Sequence, residues 1–252
     1  AVESSGFCDV YREYYGGQYL CLRVLRVYED SKDRFLRRYS KEMILWDQAE
    51  HPNILPFYGI CYLGNGPLKQ ICLVSPWMEN GNIVTYLRNH SSIPRRLLTY
   101  DVAHGLEYLH NKNIIHSNLK GANILVNSMG RDCIADFGLS LIQADKMFSS
   151  KVTTTATFRC TYHWAAPELF EDDPQLTKES DVWAMGCVFY EIFTGLLPFN
   201  ECSGNAQIIH KLMKGVLPVV LDASQWAHKP RRNLMHRCWA GNPGERPTCQ
   251  QI

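Results

Sequence analysis

The sequence lacks an excess of charge and a long apolar run. Its 26 Lys and Arg residues are balanced by 25 Asp and Glu residues, so the formal net charge is +1. This balance gives no reason to expect nucleic acid or an anionic membrane surface as a partner. No apolar run reaches the roughly 18 residues that a membrane-spanning helix needs, so no membrane span is predicted.

A close pair of cysteines is also absent. The ten cysteines are scattered, and no Cys-x-x-Cys sequence occurs. A zinc site needs closely spaced ligands, and a small disulfide scaffold is built on a much shorter chain. We therefore interpret the cysteines as reduced, mostly buried thiols, which predicts a reducing, cytoplasmic compartment.

The composition is that of a folded domain. With 252 residues, of which 46% are hydrophobic and 20% charged, the chain can form one large domain or two lobes that share a cleft. The first residues have a strand pattern and the last ones resemble the start of a helix. This pattern predicts that both ends were cut from a longer chain.

The first third of the chain has the pattern of a small sheet with one helix. Residues 10–27 are rich in Tyr, Leu and Val around a Gly-Gly pair, which predicts two strands joined by a tight turn. Apolar residues recur at helical spacing over residues 33–48, which predicts an amphipathic helix there. Residues 54–62 and 70–74 predict further strands.

Beyond Gly81 the pattern becomes mainly helical. Residues 96–111 predict one helix, and residues 180–194 predict another that is apolar nearly all round and therefore central to its lobe. The short runs 124–126 and 133–135 predict small strands between them. The fold class predicted is α+β, with a small antiparallel-sheet lobe and a larger, mainly helical lobe.

Five short motifs follow one another along the chain. Residues 116–123 have the sequence His-Ser-Asn-Leu-Lys-Gly-Ala-Asn, and Asp-Phe-Gly follows at 136–138. Ala-Pro-Glu occupies 166–168, Asp-Val-Trp-Ala-Met-Gly occupies 181–186, and Glu-Arg-Pro occupies 245–247. In this order and spacing, over essentially the whole chain, the motifs resemble those of the eukaryotic protein-kinase domain.

The resemblance is to the tyrosine-kinase-like group, whose members are mainly Ser/Thr-specific. It implies a two-lobed protein-kinase fold over residues 1–252, with the N-lobe at 1–75, the hinge at 76–80 and the C-lobe at 81–252. It also implies ATP and Mg²⁺ as cofactors, and a protein substrate or other signalling proteins as partners. Lys120 is typical of Ser/Thr kinases rather than tyrosine kinases.

The resemblance also implies which residues form the site. Asp136 and Asn123 match the metal ligands, and both carry the oxygen donors that Mg²⁺ prefers. Ser75 matches the gatekeeper, and Met78 matches the hinge residue whose backbone binds adenine. The remaining predicted members are Val10, Cys21, Arg23, Glu42 and Leu125 around the nucleotide, and Asn118 and Lys120 in the catalytic loop.

Three parts of the site depart from the family pattern: the catalytic base, the phosphate-binding lysine and the glycine-rich loop. Asn118 replaces the catalytic aspartate, and its neutral amide cannot take a proton from a hydroxyl at physiological pH. Arg23 replaces the lysine that Glu42 would pair with, and a planar guanidinium is not a conservative replacement for a compact ammonium. The glycines that let backbone approach phosphate are also replaced; those positions hold Glu3, Ser5 and Cys8.

These departures leave three hypotheses. The chain is a pseudokinase that acts as an allosteric or scaffolding signalling module and keeps ATP binding. Alternatively, it is an active Ser/Thr kinase in which Asn118 orients the substrate hydroxyl and Arg23 clamps phosphate. The third hypothesis is an interaction domain with a shut cleft, which closure of Arg23 and Glu42 over an inward Phe7 would support.

Four polar residues of these motifs are better explained by structural roles than by chemistry. Asp181 is predicted to tether the backbone of the catalytic loop. Glu168 and Arg246 are predicted to form a buried structural ion pair, and His116 a packed core histidine.

Overall fold

The computed structural model describes residues 2–4, 8–25, 43–63, 70–136, 141–142, 162–218 and 229–252. The first lobe is built on one antiparallel sheet of five strands in the order β1-β2-β3-β5-β4. The strands are β1 (Glu3–Ser4), β2 (Cys8–Tyr15), β3 (Gln18–Leu25), β4 (Gly59–Leu63) and β5 (Gln70–Pro76).

A tight hairpin joins β2 to β3, as the sequence predicts. Gly16 and Gly17 form its two-residue turn with φ values of 60° and 86°, a conformation that glycine adopts without steric cost. The turn sets the pairing of Tyr15 with Gln18. Every second side chain of β3 therefore lies on the same face as Arg23.

The strand predicted over 54–62 is wrong in its first half, because β4 begins only at Gly59. Pro56 has no N–H to donate to a neighbouring strand. Ile54 and Leu55 instead contact the second lobe, where the Leu55 N–H donates to the Ile134 carbonyl at 2.9 Å. Of the helix predicted over 33–48, residues 43–47 are helical (α1), and the remainder lies outside the described residues.

The second lobe is mainly helical, as predicted. Its two small antiparallel sheets pair β6 (Ile114–Ile115) with β9 (Leu141–Ile142), and β7 (Ile124–Val126) with β8 (Asp132–Ile134). Its helices are α2 (Ile83–Asn89), α3 (Arg95–Asn111), α4 (Lys178–Thr194), α5 (Asn205–Met213) and α6 (Lys229–Cys238).

No helix among the described residues is both long and apolar enough to cross a membrane.

Helix α4 forms the centre of the second lobe, which confirms the prediction from its apolar surface. Thr177 and Ser180 form a capping box at its start, and Gly195 ends it in the left-handed conformation with φ 72°. Each residue from Ser180 to Ile192 is buried. Helix α4 is thereby a rigid base for the loops that carry the site.

A buried carboxyl group lies at the start of β8, the strand that leads to Asp136. Asp132 is 1% exposed, and neither of its carboxyl oxygens has a hydrogen-bond partner among the described residues. Nearby, Asp101 accepts two hydrogen bonds from the Arg131 guanidinium and a third, at 3.1 Å, from the Asp132 N–H. Burial first, and then the Asp101 charge, raise the pKa of Asp132 to about 8, against an opposing effect of Arg131.

We expect this carboxyl to make the stability of the fold fall with rising pH. The folded state keeps the Asp132 proton up to pH of about 8, whereas an unfolded aspartate loses it near pH ~4. Between those values unfolding releases a proton, so the free energy of unfolding decreases by at most ~1.4 kcal/mol per pH unit from this group.

Asp132→Asn removes this ionisation while keeping the shape of the side chain. The variant is expected to have a higher Tm than the unaltered chain at pH 7 and a flatter dependence of stability on pH. Thermal denaturation at pH 7 measures the Tm, and urea denaturation at a series of pH values measures the pH dependence of the free energy of unfolding. Identical pH profiles for the two proteins would contradict the assignment of a raised pKa to Asp132.

Candidate functional site

The backbone of the loop at residues 116–123 is held by a carboxylate of α4. Asp181, 1% exposed, accepts hydrogen bonds from the His116 N–H at 2.7 Å and the Ser117 N–H at 2.8 Å. The ring of His110 lies 3.0 Å from the same carboxylate. Ser117 has a φ of 63°, a strained conformation that these bonds compensate. The predicted tethering role of Asp181 is confirmed.

His116 connects this loop to the strand end that carries Asp136. Its Nδ1 accepts a hydrogen bond from the Asn118 N–H at 3.3 Å, so the ring proton is on Nε2, which lies 3.0 Å from the Ala135 carbonyl oxygen. The side chain is fully buried. Both ring nitrogens are therefore engaged in the structure of the core, as predicted.

The structure brings together three of the predicted site residues. The Asp136 Oδ2 accepts hydrogen bonds from the Asn118 Nδ2 at 3.2 Å and from the Asn123 Nδ2 at 3.3 Å. The Asn123 Nδ2 also lies 2.8 Å from the Asn118 carbonyl oxygen. The amide of Asn118 is thus a donor to the carboxylate of Asp136. The backbone of Asp136 has a positive φ of 68°.

The other oxygen of Asp136 faces a cation from the first lobe. The Arg23 Nη1 lies 3.6 Å from the Asp136 Oδ1, and the Arg23 guanidinium lies 5.5 Å from the centre of the Trp46 ring. Such a distance over an aromatic face is favourable for a cation. The contact between Arg23 and Asp136 crosses from one lobe to the other.

The sheet places several predicted nucleotide-binding residues on one face. Val10 on β2 pairs directly with Arg23, and Cys21 pairs with Ser75 on β5. Residues that pair directly across strands share a face, as do residues two apart on one strand. Val10, Cys21, Arg23 and Ser75 therefore line the same side of the sheet. Glu42 lies outside the described residues.

The segment after β5 connects this face to β7. The Asn80 N–H donates to the Val126 carbonyl at 3.2 Å, and the Val126 N–H donates to the Gly81 carbonyl at 2.8 Å. These bonds place Leu125 beside the end of the predicted hinge, with Met78 buried just before it. Ser75 is also buried.

Sequence reasoning missed a contact that fixes the middle of the loop. The buried Glu191 of α4 accepts hydrogen bonds at one oxygen from the Gly121 N–H, at 2.9 Å, and from the Trp164 indole N–H. Burial raises the pKa of Glu191 to about 7, against the lowering effects of these two bonds and of the nearby charge of Lys120. Lys120 itself is half-buried.

Glu168 and Arg246 form the predicted ion pair. The two side chains meet through two hydrogen bonds of 2.6 and 2.7 Å, and the Arg246 side chain is 0% exposed. Arg246 also donates to the carbonyls of Glu179 at 2.9 Å and Ala240 at 3.0 Å. The pair joins the segment after residue 162 to the end of the chain, so the prediction of a structural pair is confirmed.

The site residues and the two-lobed architecture match one protein family. A family model described as protein tyrosine and serine/threonine kinase matches residues 5–252. The chain belongs to this protein kinase family. The fold predicted from the motifs, with an antiparallel-sheet N-lobe and a helical C-lobe, is thereby confirmed.

Relatives of this kinase domain include kinases from plants and animals. The chain is 29% identical over 259 residues to the Arabidopsis thaliana serine/threonine-protein kinase STY17, covering 100% of the chain and 43% of that protein. It is 30% identical over 257 residues to the serine/threonine/tyrosine-protein kinase HT1 of the same plant, covering 99% and 62%. It is 30% identical over 225 residues to the Drosophila melanogaster tyrosine-protein kinase Btk, covering 86% and 26%. The chain thus spans less than two thirds of each of these proteins.

Kinases of this family generally use ATP with Mg²⁺, which prefers an octahedron of oxygen ligands at ~2.0–2.1 Å. In this kinase domain both oxygens of Asp136 already face N–H donors, and one of these donors is the amide that replaces a second carboxylate. Among the described residues there is no group of three or more His, Cys, Asp or Glu side chains that could hold a metal. Because N–H donors already face both oxygens of Asp136, the side chains present fit Mg²⁺ poorly.

Proposed function

We propose that this chain is a protein-kinase domain with impaired phosphoryl transfer that acts as an allosteric or scaffolding module in signalling. The observation that carries the proposal is the hydrogen bond from the Asn118 Nδ2 to Asp136.

The proposed partners of the domain are other signalling proteins, and its proposed place of action is the cytoplasm. No disulfide joins cysteines within the described part of the chain, which is consistent with a reducing compartment.

A substrate hydroxyl finds no proton acceptor at Asn118. The amide nitrogen has no free lone pair to accept a proton, and the amide oxygen is an extremely weak base. The Asn118 Oδ1 is, in addition, buried, with no hydrogen-bond partner among the described residues. General-base catalysis contributes ~10²–10⁴-fold to a rate, so its loss leaves a slow enzyme.

Arg23 adds a second impairment. The family lysine holds phosphate as a compact charge at the end of a flexible stem, whereas guanidinium is a wide planar fork. In this structure the fork is directed at Asp136 and lies beside the Trp46 ring. Positioning of the transferred phosphate is therefore expected to suffer as well, and positioning is a large part of catalysis in this family.

The alternative function is that of an active Ser/Thr protein kinase, which transfers the γ-phosphate of ATP to a protein hydroxyl. The contact of Asn123 with both Asn118 and Asp136 favours it, because the loop keeps a compact arrangement around the carboxylate. In this alternative Asn118 orients the hydroxyl of the substrate.

The third candidate function is that of an interaction domain with a shut cleft. The burial of Ser75 and Met78 favours it.

Transfer of labelled phosphate from ATP to a protein substrate tests the proposal. The purified chain is expected to turn over far more slowly than the ~1–100 s⁻¹ of ordinary kinases. Asn118→Ala is expected to leave the residual rate unchanged if the amide plays no part in the reaction. A turnover in the ordinary range, lost on Asn118→Ala in a protein of unchanged Tm, would establish the active-kinase alternative instead.

A further inference from the structure

The positive charge beside Asp136 is supplied by the protein itself. We infer that Arg23 takes the place of the magnesium ion, so that this site binds a nucleoside triphosphate without a divalent metal. The inference rests on the proposed function, because a domain relieved of phosphoryl transfer needs no metal to activate the transferred phosphate.

The balance of charges at the site favours this assignment. The carboxylate of Asp136 contributes one negative charge, Arg23 contributes one positive charge 3.6 Å away, and Asn118 contributes none. An aspartate at position 118 would have supplied a second negative charge. Among the described residues, a divalent cation placed here would therefore meet the one carboxylate of Asp136 and be repelled by the Arg23 guanidinium.

The hydrogen bonds of Asp136 point to the same conclusion. Its Oδ2 accepts from the amides of both Asn118 and Asn123, at 3.2 and 3.3 Å. A metal ion bound to that oxygen would have to displace N–H donors or share the oxygen with them. The amide that replaces the catalytic aspartate thus donates to the carboxylate of the metal-ligand position.

Arg23 is well placed to hold phosphate in place of the metal. It lies within β3, which is paired on one side with β2 and on the other with β5, so its backbone is held firmly. Its side chain is 19% exposed, and its guanidinium lies 5.5 Å from the centre of the Trp46 ring. A guanidinium that is partly accessible can donate two parallel hydrogen bonds to phosphate oxygens, which a point charge cannot do.

Calorimetric titration of the chain with ATP, once in excess EDTA and once in excess Mg²⁺, tests the inference. We expect the two dissociation constants to agree within about twofold, a difference well below ~1.4 kcal/mol. An affinity that rises tenfold or more with Mg²⁺ overturns the inference. The absence of ATP binding under both conditions overturns it as well.

Variants test the role of Arg23 directly. Arg23→Gln is expected to weaken ATP binding in EDTA by about tenfold or more, since a charge-assisted contact to phosphate is lost. Arg88→Gln, at an exposed arginine in the last turn of α2, serves as the matched control and is expected to change nothing. Equal affinities of the Arg23→Gln variant and the unaltered chain in EDTA would overturn the inference, with the Tm of each protein as the check on folding.

The result separates the two proposals. If ATP binds equally well with and without Mg²⁺ but phosphate transfer is fast, the proposed function fails and the binding mode stands. If ATP binding requires Mg²⁺ and transfer is slow, the binding mode fails and the proposed function stands.

Discussion

A double variant, Arg23→Lys with Asn118→Asp, is expected to transfer phosphate ~10²–10⁴-fold faster than the unaltered chain. The aspartate returns a carboxylate that can accept the substrate proton, and it removes the amide that donates to Asp136. The lysine returns a compact charge for the phosphates. Initial rates of labelled-phosphate transfer, with ATP and Mg²⁺ in excess, measure the effect.

The control for this gain is Arg23→Lys with Asn118→Ala. It shares the new lysine and the loss of the amide, but it has no carboxylate at position 118, so it is expected to stay slow. Each single variant should recover only part of the rate, because positioning and proton transfer act together. A double variant that folds with an unchanged Tm and transfers no faster would contradict the view that Arg23 and Asn118 limit the chemistry.

Arg246→Ala is expected to lower the free energy of unfolding by ~3–5 kcal/mol, because it leaves the charge of Glu168, whose side chain is only 16% exposed, without its partner. The arginine side chain is fully buried and makes four hydrogen bonds, two to Glu168 and two to backbone carbonyls. Urea denaturation monitored by tryptophan fluorescence measures the loss.

Two comparisons locate the cause of that loss. Lys211 and Glu201 also meet at 2.6 Å, but at the surface, so Lys211→Ala is expected to change stability far less. Replacing both members of the buried pair, as Glu168→Leu with Arg246→Met, should recover part of the loss, because no charge is stranded. If Arg246→Ala and Lys211→Ala have equal effects, burial is not what makes the Arg246 pair important.

Local sequence patterns were sufficient for the elements whose residues satisfy one another nearby. The Gly16-Gly17 turn specifies the β2–β3 hairpin, because it needs positive φ at two consecutive residues. The helices predicted over 96–111 and 180–194 were observed as Arg95–Asn111 and Lys178–Thr194. Both helices have 17 residues, and the second is apolar nearly all round, so each is long enough to be predicted from its own residues.

Short elements were harder to predict, because long-range contacts decide them. Helix α2 has only seven residues and begins with β-branched side chains, which favour strand locally. Its start is set by Asn82, whose side chain accepts a hydrogen bond from the Thr85 N–H at 3.0 Å. Ile54 and Leu55 were predicted as strand, but they pair with Ile134, eighty residues away along the chain.

The sequence by itself determined which chemical groups this kinase domain has available: an amide at Asn118, a guanidinium at Arg23 and a carboxylate at Asp136. The tertiary structure decided that the amide donates to the carboxylate and that the guanidinium reaches it from the other lobe. Those contacts join residues 18 and 113 positions apart. The Arg23 contact depends on how the sheet packs against the helical lobe, and the Asn118 contact depends on how the loop at 116–123 lies beside the segment after β8. Neither arrangement leaves a local pattern in a single sequence.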